Sequence, residues 1–367
     1  MVNFESIKDF KKFLKGKNEV AEIAMHALDL ALIEEHLLKI RFSRCLLLGC
    51  CLTDKLWHHL YAENYIFPTL DVPYDVYPNQ LYNKDSLYKG YDSTLPSSYE
   101  HTLDKVVYNH FIHAGIEAKN IKETLARSLH DHSITDSLHE FLANYNEKKV
   151  VAIMGGHSLS RASQSYRQIA EIAKTLTENG YLMTSGGGPG AMEATHVGAW
   201  FAGKSMKKLH HAIKHLATAP TYDHIDWLPT AFQVLEQNPK ARYNSLGIPT
   251  WHYGHEPPTP FATHIAKYFA NSIREEGLLA IAKGGVVFAP GSAGTMQEIF
   301  QEIAQNHYES YGFASPMVFL NKEYWSYKRP VYPVIELMHL RQNLQNLNLG
   351  IYDTNEEIIA HLQRFSE

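Results

Sequence analysis

The sequence predicts an α/β protein, a doubly wound parallel sheet preceded by a mixed, mostly helical N-terminal part. Three observations carry this. From residue 150 onward, short apolar runs alternate with amphipathic stretches of helical period, the pattern of strand–helix–strand units. Glycine-rich turns close the apolar runs, at the carboxyl ends of strands, where open α/β sheets bind ligands. Before residue 147 the apolar residues recur mainly at helical spacing. Two domains are therefore expected: residues 1–146, and residues 147–367 with a helical extension at the C-terminal end.

The elements follow in order. Ala24, Leu28, Leu30, Ala31, Leu37 and Leu38 suggest helix within 5–40. Cys45–Cys50 reads as a buried strand, Lys55–Ala62 as a short helix, and Tyr65–Pro68 as another strand. Residues 71–100, rich in Tyr, Pro, Asn and Asp, read as irregular. Helices are expected at 101–114, 116–129 and 136–145, with Asp131 and Thr135 as turn and cap residues before the last. Val150–Met154 is a strand, Tyr166–Asn179 an amphipathic helix stopped by Gly180, and Tyr181–Thr184 a second strand. A helix covers Ala191–Ala202, and the polar, aromatic stretch 204–245 resembles an insertion with two helices. Gly247–Tyr253 is a third strand, Phe261–Ala282 a long helix, Val286–Ala289 a fourth strand and Pro316–Leu320 a fifth. No internal repeat stands out.

Composition narrows the function classes. The chain has 367 residues, 45% of them hydrophobic, enough for one large domain or two modest ones. A net charge of -5 provides no field for nucleic acid. No apolar run approaches the roughly 20 residues of a membrane span. The opening Met1-Val2-Asn3-Phe4-Glu5 has no signal-peptide pattern. Cys45, Cys50 and Cys51 are odd in number and clustered in one apolar segment, which suits reduced thiols in a cytoplasmic protein. The 22 histidines are scattered, and the cluster His130, Asp131, His132, Asp136 and His139 is better explained by turn and cap roles than by metal.

Three loops carry the chemistry. Gly155-Gly156-His157-Ser158 follows the first strand; it lacks the dinucleotide fingerprint Gly-x-Gly-x-x-Gly but can offer backbone N–H groups to a nucleotide. Ser185-Gly186-Gly187-Gly188-Pro189-Gly190 links a strand directly to a helix, and its glycines allow a ligand close approach. It is not a Walker A loop, since no Gly-Lys-Ser/Thr follows. Glu193, in the first turn of that helix, either meets the ligand or is a solvated acid that complements the helix dipole. Pro290-Gly291-Ser292-Ala293-Gly294-Thr295 leads into a helix whose free N–H groups and dipole favour a phosphate, with Thr295 as a cap or phosphate donor. Glu298, one turn in, can face what the phosphate carries. Ser292 is no hydrolase nucleophile, because Gly-x-Ser-x-Gly needs glycine where Pro290 stands.

Together with Ala191-Met192-Glu193-Ala194 and Met296-Gln297-Glu298, these loops resemble the LOG (LONELY GUY) family, formerly mislabelled lysine decarboxylases, over roughly residues 148–325. The family pattern Pro-Gly-Gly-x-Gly-Thr-x-x-Glu is matched except that Ser292 replaces the second glycine. Residues 1–146 are more weakly similar to the extra domain of longer bacterial nucleotide nucleosidases. The resemblance implies a Rossmann-like fold and hydrolysis of a nucleoside 5′-monophosphate to free base and ribose 5-phosphate. It implies a catalytic pair of Arg274 and Glu298, and nucleotide binding by Gly155, Gly156, His157, Ser185, Gly186, Gly187, Gly188, Gly190, Glu193, Gly291, Ser292, Gly294 and Thr295. Neither metal nor cofactor is expected for this chemistry, and a homodimer or larger homo-oligomer is. Arg274 either binds phosphate, orients Glu298, or is an exposed helix charge beside Glu275 and Glu276. Lysine decarboxylation is disfavoured, since Lys283 lies before the strand, on the wrong side of the sheet. The substitution at Ser292 and the N-terminal part motivate an alternative, a non-catalytic nucleotide sensor or carrier. His252, His255 and Glu256 are expected near the pocket, and Tyr222, Trp227, Tyr243 and Trp251 either stack on a base or pack the core.

Overall fold

The computed structural model describes residues 2–254 and 256–366, so the expectation for His255 lies outside the described residues. The chain forms two compact units, residues 1–80 with 114–137, and residues 81–113 with 138–367. The boundary expected at 146/147 therefore moves: residues 81–113 and 138–146 belong with the larger unit.

The smaller unit is built from β1 (Val2–Phe4), α1 (Ile7–Leu14), β2 (Glu19–Ala21), β3 (Ile23–His26), α2 (Glu34–Leu37), β4 (Arg41–Ser43), β5 (Leu46–Leu48), α3 (Asp54–Leu60) and β6 (Tyr65–Phe67). The helix expected within 5–40 is thus replaced by short helices and strands. Strands β1, β3, β5 and β6 form one parallel sheet, and β2 and β4 pair in a second. Paired residues lie 21, 22 and 19 positions apart along the chain (Val2 with Ile23, Ala24 with Leu46, Leu46 with Tyr65). Strand and helix therefore recur as a stacked repeat, which the sequence did not announce. Each helix buries an i, i+4 pair in one core: Phe10 and Leu14, then Leu56 and Leu60, with Ile33 and Leu37 at the corresponding place between them.

Next come α4 (Lys84–Leu87), α5 (Leu103–Ala114) and α6 (Ile121–Leu142). The two helices expected at 116–129 and 136–145 are one helix, and the division between units falls within it. Asp131 and Thr135 are mid-helix residues, not caps: Asp131 accepts from His130 Nδ1 at 2.9 Å, and the Thr135 hydroxyl bonds back to the Asp131 carbonyl. Among the described residues, no group of His, Cys, Asp and Glu is placed to hold a metal.

The larger unit carries β7 (Val150–Met154), α7 (Gln164–Glu178), β8 (Leu182–Ser185), α8 (Ala191–Trp200), α9 (Met206–Leu216), α10 (Trp227–Gln237), β9 (Ser245–Gly247), β10 (His264–Ile265), α11 (Asn271–Ile281), β11 (Gly285–Phe288), α12 (Ala293–His307), β12 (Pro316–Leu320), α13 (Val331–Leu340), β13 (Asn348–Tyr352) and α14 (Asn355–Ser366). Its seven-stranded sheet is parallel throughout, in the order β10-β9-β8-β7-β11-β12-β13. The chain starts in the middle, winds outward to β10, then returns to lay β11 against the other side of β7. This is the doubly wound, Rossmann-like arrangement, with its topological switch between β7 and β11. The central strands are buried from end to end, as near-continuous apolar runs require when helices cover both faces.

Three expectations fail here. The helix predicted over 261–282 begins only at Asn271. Residues 261–270 are almost wholly buried and lie along the sheet edge, where Ala266 and Tyr268 N–H donate to the carbonyls of Gly247 and Pro249. Even its Lys267 is buried, and Thr263 and His264 fall side by side, so the run shows no periodicity to distinguish helix from strand. The expected third strand at 247–253 is shorter and earlier, Ser245–Gly247. The C-terminal part is no mere helical extension, since β13 completes the sheet edge and α14 packs on α7 and β12.

No helix among the described residues is long and apolar enough to cross a membrane.

Candidate functional site

The three loops converge at the switch point, all within the larger unit. Gly156 joins them: its N–H donates to the Pro290 carbonyl at 3.1 Å, and its carbonyl accepts from the Ala191 N–H at 3.1 Å. Gly155 has no room for a side chain, because a Cβ there would lie 2.8 Å from that of Ala191 and 3.1 Å from that of Ala289. Gly190, the residue before α8, has φ 68°, and a Cβ on it would meet the Gly156 and His157 carbonyls at 2.4 and 2.5 Å. The N-terminus of α8 is therefore closed by protein backbone.

The triple glycine also answers to protein contacts. A Cβ on Gly186 would lie 2.3 Å from Arg274 Nη2, one on Gly187 2.8 Å from Pro249 Cδ, and one on Gly188 2.9 Å from Met192 Cε. Ser185 is buried and holds the turn: its hydroxyl accepts from the Gly187 N–H at 3.1 Å and lies 2.9 Å from His196 Nε2. His196 is kept neutral by burial, which pushes its pKa down to about 3.

Glu193 takes neither expected role. It is fully buried, and Arg161 donates to it from Nε at 2.7 Å and from Nη2, with Tyr166 Oη adding a bond at 2.9 Å. Arg161 Nη1 reaches on to the Trp227 carbonyl and the Thr230 hydroxyl, and the guanidinium lies 4.7 Å from the Trp227 ring centre. This bidentate pair fastens α8 to the 204–245 insertion. Arg161, in a polar loop, carried no sequence signal of that role.

The third loop is the open one. Ser292, Ala293 and Gly294 are exposed, whereas Gly291 and Thr295 are buried and packed on each other; a Cβ on Gly291 would lie 2.1 Å from Thr295 Oγ1. Tyr324 donates to the Gly291 carbonyl from β12's far side of the loop, and Trp325 Nε1 donates to that of Phe288 at 3.1 Å. Ser292 precedes α12 with φ -113°, a conformation serine adopts without strain, and makes no side-chain cap. The first-turn N–H groups of α12 thus keep the free donors of a helix N-terminus. A Cβ on Gly294 would touch nothing within 4 Å.

Arg274 and Glu298 come together beside this turn. Arg274 is not an exposed helix charge: its side chain is 11% exposed, and its Nε donates to the Ile248 carbonyl at 3.0 Å. Glu275 is tied to Asn271 at 2.8 Å and to Gln297 at 2.9 Å, bridging α11 and α12. The Asn271 Oδ1 is buried without a hydrogen-bond partner. Burial pushes the Glu298 carboxyl up to about 7, the positive charge of Arg274 pulls it back, and Glu275 adds to the rise. A carboxyl poised there exchanges protons near neutrality.

Glu256 also reaches the loops, with Oε1 3.8 Å from His157 Nδ1 and Oε2 3.6 Å from where a Cβ on Gly188 would be. His157 packs edge-on to Tyr222 with ring centres 5.8 Å apart. Trp251 is core, stacked on Phe269 at 4.6 Å, and Trp227 lies under Arg161. Tyr243 lies by Arg242, its ring centre 5.6 Å from the guanidinium.

No family model matches the chain, and no curated protein matches it. Among solved structures, a molybdenum cofactor binding protein from the phototrophic bacterium Rippkaea orientalis aligns with 11% identity and a TM-score of 0.36, covering 59% of this chain and 97% of that one. A Moco carrier protein of Chlamydomonas reinhardtii aligns with 13% identity and a TM-score of 0.35, covering 59% of this chain and 96% of its own.

Proposed function

We propose that this protein hydrolyses the N-glycosidic bond of a nucleoside 5′-monophosphate, releasing free base and ribose 5-phosphate, as the resemblance to the LOG family implies. The observation that carries the reading is Glu298: a carboxyl held near pH 7 by burial, beside Arg274, one turn into a helix whose N-terminus is exposed and uncapped. The 5′-phosphate sits at the first turn of α12, where Gly294 leaves open space, and is held there by backbone N–H groups. The ribose then extends toward Glu298. As the bond from C1′ to the base nitrogen breaks, its electron pair leaves with the base and positive charge develops on the sugar ring. Ionised Glu298 stabilises that charge and accepts a proton from the water that adds to C1′, while the base takes up a proton as it leaves. The charge of Arg274 opposes the burial of Glu298 in favour of the ionised form and is within reach of an anionic substrate. Phosphate binding away from the scissile bond anchors the substrate without being consumed by the reaction.

We also propose a homo-oligomer, supported by the exposed apolar residues Val334, Leu337 and Leu340 on α13 and Phe300 on α12; sedimentation velocity showing a monomer would remove it.

The test of the function is a panel of nucleoside 5′-monophosphates incubated with the native protein and with Glu298→Gln, with free base assayed by chromatography. Release by the native protein and loss of nearly all release by the variant, with nucleotide affinity kept, is the expected result. Saturable nucleotide binding with no base released from any member removes the hydrolase and leaves a carrier or sensor.

A further inference from the structure

The insertion between β8 and β9 is not used by the proposed reaction, yet it holds a run of positive charge uninterrupted by any acidic residue. Residues 201–220 carry four lysines, three histidines and no acidic residue, in a protein of net charge -5. Helix α9 arrays three of these groups at helical spacing: Lys208, His211 and His215 fall at i, i+3 and i+7, on one face, and Lys207 lies beside them. Among the described residues none of Lys204, Lys207, Lys208 and Lys214 has a carboxylate partner. The nearby acids are committed elsewhere. Glu178 pairs with Lys174 and accepts from the Gly203 N–H, Glu171 holds His210 and Arg167, and Glu236 accepts from Ser93. Lys204, just before the helix, has its Nζ shielded from solvent with no hydrogen-bond partner, 4.8 Å from the Phe201 ring centre.

These charges line a cavity. A pocket of about 490 Å³ opens between α9 and α10, with Lys207, Lys208 and His211 on one wall and Gln237 and Asn238 on the other. Ala212 and Val234 form an apolar floor. Its size falls within the range of small-molecule sites, and an apolar floor with a few convergent polar groups is their usual make-up. The two helices run as a packed pair, so the N-terminal end of α9, with Ser205 before it, faces the same space. A like-charged cluster left without counter-ions inside a concave site is repulsive when empty and is relieved by an anion. The concave shape and short charged span fit a compact anion better than a polynucleotide, which needs an extended basic track.

We infer that the pocket between α9 and α10 binds a small organic anion bearing two or more phosphate groups, at a site separate from the glycine-rich loops. Lys207 and Lys208 make the phosphate contacts, His211 extends them along the helix, and the amides of Gln237 and Asn238 meet the organic part over the apolar floor.

Titration calorimetry on the full chain tests this, with fructose 1,6-bisphosphate and inorganic pyrophosphate as probes. Saturable binding of the sugar bisphosphate is expected. The double variant Lys207→Ala/Lys208→Ala is expected to bind it about tenfold or more weakly, the loss of charge-assisted contacts. Both lysines are exposed and alanine favours helix, so α9 should persist; circular dichroism checks this, and Lys208→Glu gives a second variant with the same expected loss. Arg274→Ala is expected to leave the affinity unchanged, and amide hydrogen exchange should slow within 204–216 when the probe is bound. Absence of saturable binding, equal binding by the double variant, or loss of binding in Arg274→Ala would each overturn the inference. Tighter binding of pyrophosphate than of the sugar bisphosphate would overturn the part assigned to the apolar floor.

Discussion

Replacing Glu298 by glutamine should stabilise this protein at alkaline pH and leave it unchanged at acid pH. The carboxyl titrates near 7 in the folded chain, against 4.5 for the same group unperturbed. The folded state therefore binds the proton more tightly than the unfolded state. Below pH 4.5 the group is protonated in both states and contributes nothing. Between 4.5 and about 7 the unfolded chain ionises while the folded one does not, so stability falls as pH rises. Above 7 the full penalty is present. At roughly 1.4 kcal/mol per pKa unit its upper bound is about 3.5 kcal/mol, with solvent access at the edge of the site reducing this. Glutamine keeps the shape and removes the ionisation. The quantity to measure is the difference in stability between variant and native protein, by urea unfolding at pH 5 and pH 8. Glu302, a turn further along α12 and also pushed up to about 7 by burial, is present in both proteins and cancels. The variant should gain between 1 and 3 kcal/mol at pH 8 relative to pH 5, on the order expected for a buried carboxylate. A variant equally stable or less stable at pH 8 would mean that Arg274 fully compensates the burial, and Glu298 would then have no special readiness to exchange protons near neutrality.

Four further outcomes follow from contacts described above. Gly294→Ala fills open space at the first turn of α12 with a better helix former, so stability should rise by up to about 1 kcal/mol while affinity for a nucleoside monophosphate falls; unchanged affinity in a binding titration would remove Gly294 from the site. Gly186→Ala would place a Cβ 2.3 Å from Arg274 Nη2 and 2.7 Å from Met192 Sδ, so the guanidinium should be displaced and base release should drop about 100-fold, with unchanged release removing Arg274 from the site. Arg161→Met leaves Glu193 buried without its partner and should cost about 3–5 kcal/mol in a denaturant titration; near-native stability would show that the pair is dispensable. Ser292→Gly introduces the glycine of the LOG pattern at a position with φ -113°, so activity should stay within about twofold of native and stability should fall by less than about 1 kcal/mol; a large gain in turnover would show that serine impairs the loop.

The sheet was legible because its central strands are short apolar runs, most of them ended by a glycine-containing turn, and β7, β8, β11 and β12 fall within a residue of where the pattern puts them. The edge strands were not. His264–Ile265 sits in a mostly buried run without strand alternation, and Asn348–Tyr352 mixes polar and apolar residues as a half-covered edge does. Glu298 stands in the motif and Arg274 was implied by the family resemblance, and their meeting depends on the crossover that sets α11 beside α12. Glu193 shows the opposite case. Its place in a helix first turn suggested ligand or solvent, and its real partner, Arg161, lies 32 residues away where no local pattern connects the two. The repeat in the smaller unit was hidden for a different reason. Its regularity lies in the 23-residue spacing from Phe10 to Ile33 to Leu56 and from Leu14 to Leu37 to Leu60, while the residues between share little.

That stacking has a mechanical consequence. A layer that rests only on its two neighbours gives a body whose cohesion is the sum of like joints, without a central knot. Such a body comes apart from an end, one layer at a time, and the layers left behind keep their own joints. Pulled along the stack it should yield in a series of similar small steps of extension. It can also be lengthened or shortened in whole layers of some twenty residues without redrawing the rest. The parallel sheet of the larger unit has no such freedom, because β7 and β11 at its centre bear both halves of the winding, and removing either parts the sheet in two.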